Sequence, residues 1–240
     1  MFKTVKSKCV SQTIVKQIRE LIFDGMLKPG ERLPSVQNLS KEFGVSQATL
    51  REAIRVLEAL GMLEVRQGVS GGVFISEINN EITHEHLYNY FFFQNPDIKD
   101  FSELRLLIEP KMAEIAATNS SEKDLLDLEN LMQLSEKELD KEKFYFDLDN
   151  QFHSKISKIS GNQVIVFVVE STKLAVVNIK QRLDIPRSFF HEVYNDHIRI
   201  VNAIKNRNPE ASHNAMYKHI QNVEVSLKNI FAEDQRRKIG

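Results

Sequence analysis

Three histidines and one aspartate in the second half of the chain have the residue types and spacing to do chemistry. Asp149 and His153 are four residues apart, so both side chains would project from one face of a helix. His197 is in helical register with the apolar residues that follow it, and His219 lies on the apolar face of a later helix. All four side chains are therefore expected to point into the interior that these helices would form.

Two interpretations of these four residues remain open. For each histidine alone, a buried imidazole satisfied by its neighbours is the simpler interpretation. Three inward histidines and an inward carboxylate on three helices are harder to explain in that way, because burying each polar group costs free energy unless it has a partner. A divalent metal would satisfy all four together, and three imidazoles with one carboxylate suit Zn²⁺, Ni²⁺ or another first-row ion.

The helices that must position these residues follow from the hydrophobic pattern of residues 79–240. Apolar residues recur there at helical spacing, and strand signals are nearly absent. Residues 164–169 are rich in β-branched side chains, which favours a strand, but no nearby segment could pair with them, so a buried helix is predicted. This half of the chain is therefore predicted to be an all-helical antiparallel bundle.

Residues 1–78 have a different pattern, in which three short helices precede a β-hairpin. Gly44 ends the second helix, and Ser46 is a good N-cap for the third, which closes at Gly61. Two short extended segments then flank a glycine-rich turn at 68–72, which is typical of a hairpin. The chain is therefore predicted to be mainly α and to contain two domains, residues 1–78 and 79–240.

Two helices joined by a tight turn, the second opening on polar residues, match the helix-turn-helix. In that motif the second helix enters the major groove of DNA, and its N-terminal side chains contact base edges. Gln47, Thr49 and Arg51 lie off the apolar face of the third helix and would be these side chains. The alternative is an ordinary helical bundle with a solvated polar face. The charge distribution favours the DNA-binding interpretation. Residues 1–78 carry 11 Lys and Arg against 8 Asp and Glu, whereas residues 79–240 carry 21 Lys and Arg against 25 Asp and Glu.

Length and composition bound the remaining possibilities. The chain has 240 residues, 42% hydrophobic and 27% charged, with only 9 Gly and 6 Pro, which excludes disordered and collagen-like classes. No apolar stretch approaches the ~18 residues of a membrane span, and residues 1–10 lack the pattern of a secretory signal. The single cysteine, Cys9, can form no internal disulfide. We therefore expect a cytoplasmic protein with no membrane partner.

The turns, helix and glycine-rich loop of the first half follow one another as KPGERLPS, FGVS, TLREAIRVLEALG and QGVSGGVFI. This order, within residues 25–75, resembles the winged helix of the GntR family of bacterial transcription regulators. In such proteins the DNA contacts come from the starts of the second and third helices and from the wing tip. The resemblance implies a homodimer on a palindromic double-stranded operator. It implies DNA contacts by Gln37, Gln47, Thr49, Arg51 and Gly68.

Two of these positions depart from the usual pattern of the family. Gln37 and Gln47 stand where arginine is common. Arginine pairs bidentately with guanine, whereas glutamine suits adenine. The resemblance therefore predicts DNA binding but not the operator sequence.

The candidate aspartate and histidines lie in two segments, DNQFHSKI at 149–156 and HIRIVNAIKNRNPEASHNAMYKH at 197–219. Both segments resemble the metal-binding segments of the FadR-type, or FCD, effector domain, which one branch of the GntR family attaches to the winged helix. The ligands that the resemblance implies are Asp149, His153, His197 and His219. The segment FSELRLLIEPKMAEIAA resembles the first long helix of that domain, where an arginine often faces the pocket. Arg105 is thereby implied in effector binding, and the alternative is an ion pair with Glu109 four residues later.

These resemblances imply a ligand-responsive bacterial transcription regulator, a repressor, and not an enzyme. Its divalent metal, Zn²⁺ or Ni²⁺, would offer open positions to the carboxylate of a small organic acid. The alternatives are a metal-responsive regulator without an organic ligand and a metal-dependent hydrolase with an accessory DNA-binding domain. Against the hydrolase, the chain has no HExxH-like spacing, nucleophile elbow or phosphate loop.

Overall fold

The computed structural model describes residues 10–68, 70–77, 87, 89–91, 93–94, 96–139, 142–181 and 183–239. The chain divides into two units, Met1–Glu85 and His86–Gly240, and each has a hydrophobic core of its own. The domain boundary predicted between residues 78 and 79 lies outside the described residues.

The described residues of the first unit form three helices and a hairpin, with bounds close to those that the sequence predicts. They are α1 (Val10–Phe23), α2 (Val36–Glu42), α3 (Gln47–Ala59), β1 (Leu63–Arg66) and β2 (Gly72–Ile75). The strands are antiparallel, with Leu63 opposite Ile75. Apolar side chains from all five elements share one core, in which Leu50 and Leu57 of α3 are fully buried. This core holds α3 in place and leaves its polar face exposed.

Local features define the turn and the start of α3. Gly44 makes the turn between α2 and α3 at a φ of 65°, in the left-handed region that side chains disfavour. The side-chain oxygen of Ser46 accepts the backbone N–H of Thr49 at 3.1 Å. This bond satisfies one of the donors that the start of a helix leaves without a partner. The N-cap predicted at Ser46 is therefore confirmed.

Six helices follow between residues 98 and 239 in the second unit. They are α4 (Ile98–Asn119), α5 (Glu122–Glu138), α6 (Glu142–Ile159), α7 (Gln163–Lys180), α8 (Arg187–Lys205) and α9 (Pro209–Ile239). Helix α4 packs along α9, and α5 packs against α6 and α8. Phe152, Ile200 and Met216 meet in the core from three different helices. Residues 164–169 lie within α7, so the helix predicted for this β-branched segment is confirmed.

The start of α9 shows how the sequence positions a functional helix. Oδ1 of Asn208 accepts the backbone N–H of Ala211 at 3.0 Å, and Pro209 occupies the first helical position, where a missing N–H costs nothing. The predicted fold class is confirmed, with a mainly helical chain and a small hairpin after an N-terminal helix-turn-helix. Among the described residues, no helix combines the length and the apolar character that crossing a membrane requires.

Candidate functional site

Three helices of the second unit bring the four predicted ligand residues together. Helix α6 carries Asp149 and His153 one turn apart, α8 carries His197, and α9 carries His219. One ligand atom from each residue lies within 4.8 Å of the others, and all four side chains are buried. Packing produces this convergence, because the same three helices contribute apolar residues to the shared core.

The ligand atoms have nearly the mutual spacing that a single ion requires. Nε2 of His197 lies 3.3 Å from Nε2 of His219. Oδ1 of Asp149 lies 3.5 Å from Nε2 of His197 and 3.7 Å from Nε2 of His153. Ligand bonds of about 2.1 Å at tetrahedral or octahedral angles place neighbouring ligand atoms about 3.0–3.4 Å apart. Small inward shifts would bring this donor set to bonding distance, so the residues fit a first-row divalent ion.

The charges in the cluster favour the deprotonated, metal-binding form of Asp149, His197 and His219 but not of His153. Burial by itself would lower the pKa of His153, but Glu109 and Asp149 raise it. Burial by itself would raise the pKa of Asp149, but Lys180, 2.8 Å away, and the neighbouring imidazoles hold that pKa well below its usual value. Burial lowers the pKa of His219 to about 4. Burial and the adjacent His219 also lower the pKa of His197 well below its usual value. An ionised carboxylate therefore faces two neutral imidazoles, which is the donor state that metal binding needs.

Arg105 and Glu109, one turn apart on α4, adjoin the cluster. Nε of Arg105 donates to Oε1 of Glu109 at 2.6 Å, so the ion pair considered for this spacing is present. Nη2 of Arg105 also lies 3.1 Å from Nε2 of His153. Burial by itself would raise the pKa of Glu109, but Arg105 and His153 lower it, so the carboxyl group is ionised. Arg105 therefore contacts the histidine cluster in addition to its ion-pair partner.

A small cavity lies beside the cluster. Its volume of about 20 Å³ is room for about one water molecule. Arg105 and Lys173 contribute cationic side chains to its wall, His153 lines the side of the cluster, and Val169 and Val176 add apolar surface. Glu109 and Asp149 line the cavity as well, so two carboxylates balance these two cations. The wall would favour a small anion only with a divalent ion bound beside it and after side chains move to enlarge the space.

The side chains predicted to contact DNA lie on the first unit. Gln37 is exposed on the first turn of α2, and Gln47 and Arg51 are exposed on α3. Nη2 of Arg51 donates to Oε1 of Gln47 at 3.4 Å. Thr49 is half-buried, and its hydroxyl lies 2.9 Å from that of the N-cap serine. Gly68 is exposed in the turn between β1 and β2, with a φ of 99°. Gln47 and Arg51 therefore present one exposed polar group, whereas the hydroxyl of Thr49 is engaged in the helix cap.

Comparison with known proteins accounts for both halves of the chain. The family model for bacterial regulatory proteins of the gntR family matches residues 10–74, and the FCD domain model matches residues 100–222. The HTH-type transcriptional regulator LutR of Bacillus subtilis is 30% identical over 220 residues, covering 89% of this chain and 99% of LutR. This chain is a GntR-family transcriptional regulator with an FCD domain.

Two further comparisons agree with this assignment. The Glc operon transcriptional activator of Escherichia coli is 29% identical to this regulator over 236 residues, covering 93% of this chain and 91% of the activator. A solved structure of a Streptococcus agalactiae GntR protein aligns with a TM-score of 0.61 and 29% identity, covering 90% of this chain and 98% of that one. These relatives are regulators rather than enzymes, which excludes the hydrolase alternative.

The family places both candidate sites in context. GntR regulators bind DNA operators, typically as dimers, and the GntR match contains all five predicted DNA-contacting residues. FCD domains bind small-molecule effectors and commonly a metal, and the FCD match contains Arg105 and the four clustered residues. The individual roles of these residues stay predictions.

Sequence reasoning missed three charged residues around the cluster. Lys173 lines the cavity, Lys180 pairs with Asp149, and Asp196 lies beside His219. No spacing signal connects Lys180 with Asp149, because the two residues belong to different helices. Asp196 directly precedes a predicted ligand in the sequence, and that proximity was the one signal that could have found it.

Proposed function

We propose that this regulator is a repressor that binds a pseudo-palindromic operator as a homodimer and responds to a small organic acid through a metal-dependent pocket. The observation that carries the proposal is the convergence of Asp149, His153, His197 and His219 next to a cavity that Arg105 lines. A bacterial regulator that binds DNA works in the cytoplasm, which is the location we propose.

Zn²⁺ or Ni²⁺ is the ion that we propose for the cluster. The three histidines would bind it through Nε2 and Asp149 through Oδ1, since these are the atoms that converge. Lys180 engages the other oxygen of Asp149 at 2.8 Å. Bound there, the ion supplies a positive charge that attracts an anionic ligand.

The proposed effector is a di-acid or a hydroxy-acid of small size. Asp149 offsets only one of the two charges of a divalent ion, so the site favours an anion. Arg105 has a planar guanidinium that can bind a carboxylate through two parallel hydrogen bonds, and Lys173 adds a second cation on the cavity wall. A ligand with two acidic or hydroxyl groups can bind the ion with one group and Arg105 with the other, so it should bind more tightly than a simple mono-acid.

A metal-responsive regulator without an organic ligand is the second candidate function. The cavity volume of about 20 Å³ favours it, because no organic acid fits unless the wall opens. In that case the metal alone would change the affinity for DNA.

The proposed DNA contacts are Gln37, Gln47, Thr49, Arg51 and Gly68. Gln47 and Arg51 support this role because both are exposed on the N-terminal part of α3, the part of a recognition helix that meets base edges. A homodimer would present two copies of α3 to the two halves of a palindromic site. The E. coli relative is named an activator, so the direction of regulation needs a transcription assay on the promoter that carries the operator.

The experiment that tests this function follows DNA release by the full-length protein. An operator duplex is first selected from random sequences, and its binding is measured by fluorescence anisotropy with metal-loaded and chelator-treated protein. A panel of mono-acids, di-acids and hydroxy-acids is then titrated into each sample.

The proposal expects a change in DNA affinity of about 5-fold or more, the size of a typical allosteric coupling, with di-acids or hydroxy-acids and only when metal is present. A response to metal without any acid would favour the second candidate. Acid responses that persist after complete metal removal would contradict a metal-dependent pocket.

A further inference from the structure

The second ring nitrogens of two clustered histidines face carboxylates. Nδ1 of His153 lies 2.6 Å from Oε2 of Glu109, and Nδ1 of His219 lies 3.7 Å from Oδ2 of Asp196. Both Nδ1 atoms are buried, and neither has a well-aligned hydrogen bond. Glu109 and Asp196 are themselves only 3% and 7% exposed. Because a buried N–H without an acceptor costs free energy, these carboxylates are the natural acceptors for the two rings.

Arg105 determines which nitrogen of His153 carries the proton. An arginine side chain has donors only, so Nη2 of Arg105, 3.1 Å from Nε2 of His153, requires a lone pair on Nε2. The ring proton of the neutral imidazole is then on Nδ1, facing Glu109. This tautomer keeps the lone pair on Nε2, so a metal could bind there once Nη2 of Arg105 moves away from it.

We propose that Glu109 and Asp196 are positioning residues for the metal site. With the ion bound, Glu109 would accept the Nδ1–H of His153, and Asp196 would accept that of His219 after closing the present distance of 3.7 Å, so that both Nε2 atoms are aimed at the ion. This inference rests on the metal binding proposed above. Carboxylates that hold the second nitrogen of a ligating histidine fix the orientation of its ring and increase its basicity, and their removal typically lowers metal affinity about 10–100-fold.

Other side chains hold both carboxylates in place by hydrogen bonds. Asp196 accepts from Asn222 at 3.0 Å and from Arg199 at 2.5 Å, so α9 and α8 both fix it. Glu109 accepts from Arg105 at 2.6 Å. Glu109 therefore connects a proposed metal ligand with the proposed effector residue, and the larger effect is expected there because its contact with histidine is shorter.

The test measures the Zn²⁺ affinity of full-length variants by competition with a chelator. Glu109→Leu should lower the affinity about 10–100-fold, and Glu109→Gln should lower it less, because its amide oxygen can still accept the Nδ1–H. Asp196→Leu and Asp196→Asn should follow the same order with smaller losses. Matched controls are Glu103→Gln, an exposed glutamate of α4 that pairs with Lys99, and Glu192→Gln, an exposed glutamate of α8. Both controls should keep the wild-type affinity.

A second measurement separates positioning from a purely structural role. In zinc-loaded wild-type protein, ¹⁵N chemical shifts of the His153 ring should report a protonated Nδ1 and a metal-bound Nε2. Glu109→Leu should alter the Nδ1 signal, and Glu109→Gln should restore it in part. Thermal unfolding of the metal-free variants identifies any that fail to fold. If a leucine variant fails, the conservative Glu109→Gln and Asp196→Asn variants decide between a positioning role and a purely structural one.

Two failures are distinguishable. Wild-type protein that binds neither Zn²⁺ nor Ni²⁺ would overturn the proposed metal site and this inference with it. Wild-type protein that binds Zn²⁺ while Glu109→Leu and Asp196→Leu bind it equally well would overturn the positioning role alone.

Discussion

The two units of this regulator use polar side chains in opposite ways. In the first unit, Gln37, Gln47 and Arg51 are exposed on short helices. In the second unit, the clustered aspartate and histidines are buried and come from three helices. An exposed side chain can be replaced without disturbing the core, whereas replacing a buried one leaves its partners unpaired. Substitutions of these exposed side chains should therefore change DNA affinity alone, and substitutions in the cluster should change ligand binding and stability together.

Removing two cluster histidines should have the largest effect. We expect the wild-type protein to purify with about one divalent ion per chain, counted from its one described ligand set, and His153→Ala combined with His219→Ala to contain none. The stabilisation that metal provides, about 2.7 kcal/mol at a free concentration 100 times Kd, should disappear with it. Elemental analysis and thermal unfolding with and without metal measure the two effects.

The matched control combines His191→Ala with His213→Ala, because these histidines lie outside the cluster and His191 is exposed. That variant should keep its metal. A full metal content in the cluster variant would show that the ion binds elsewhere and would remove the contrast between the two units.

Arg105→Ala should have the next largest effect, which is a loss of affinity for the proposed effector. Hydrogen bonds to charged groups contribute about 1.5–3 kcal/mol, so the affinity for di-acids should fall about 10–100-fold while the metal content stays unchanged. Calorimetry on metal-loaded protein measures this loss, and Lys111→Ala, an exposed cation of the same helix, is the control. Unchanged di-acid binding would leave Arg105 as the ion-pair partner of Glu109 only.

Arg51→Ala tests the DNA contacts proposed for the first unit. If Arg51 reads a base, its loss should cost about 1–3 kcal/mol on the selected operator and less on random duplexes. The exposed Arg55, one turn later on α3, is the matched control and should lose affinity equally on both duplexes if it contacts phosphate. Equal losses for Arg51→Ala would assign Arg51 to phosphate as well, and a fall in the thermal stability of the variant would contradict the separation of binding from stability.

Gln47→Arg should change which operator sequence is preferred, with a change in binding free energy similar to that expected for Arg51→Ala. Glutamine suits adenine and arginine suits guanine, with about 1–3 kcal/mol of discrimination for a good bidentate pair. Selection of operators from random duplexes should therefore shift one position in each half-site from adenine to guanine. An unchanged operator would show that Gln47 does not read a base.

Ser46→Ala should have the smallest effect, and it acts on the helix that carries the DNA contacts. Its side chain accepts the N–H of Thr49 at 3.1 Å, and loss of such a cap costs about 1 kcal/mol. Amide hydrogen exchange in α3 should therefore speed up about 5-fold, whereas Ser46→Asp, which can also cap, should exchange like wild type. Equal protection in the alanine variant would mean that tertiary packing alone fixes the start of α3.

Most of the fold could be predicted because its signals are local. Caps and turn glycines act within a few residues, so the third helix expected between Ser46 and Gly61 is observed as Gln47–Ala59. The hairpin strands expected on either side of the glycine-rich turn are observed as Leu63–Arg66 and Gly72–Ile75. In the second unit, the lack of a nearby pairing partner led to a helix for residues 164–169, where β-branched residues by themselves favoured a strand, and a helix is observed.

The candidate metal site could be predicted only in part. Helical spacing indicated that the four residues point inward, and the spacing of Arg105 and Glu109 indicated their ion pair. The pairing of Lys180 with Asp149 and the approach of Asp196 to His219 had no such signal. Each of these contacts joins side chains from different helices.

The sequence by itself determined the positions of the helices and the hairpin, the faces that carry apolar residues, and the residue types available for DNA and metal binding. Only the tertiary structure decided which of these residues meet, at what distance, and with which outer partners, such as Glu109 on His153. The physical reason is that caps, turns and helical spacing depend on neighbouring residues, whereas the cluster depends on how several helices pack, a sum of many weak apolar contacts between distant segments.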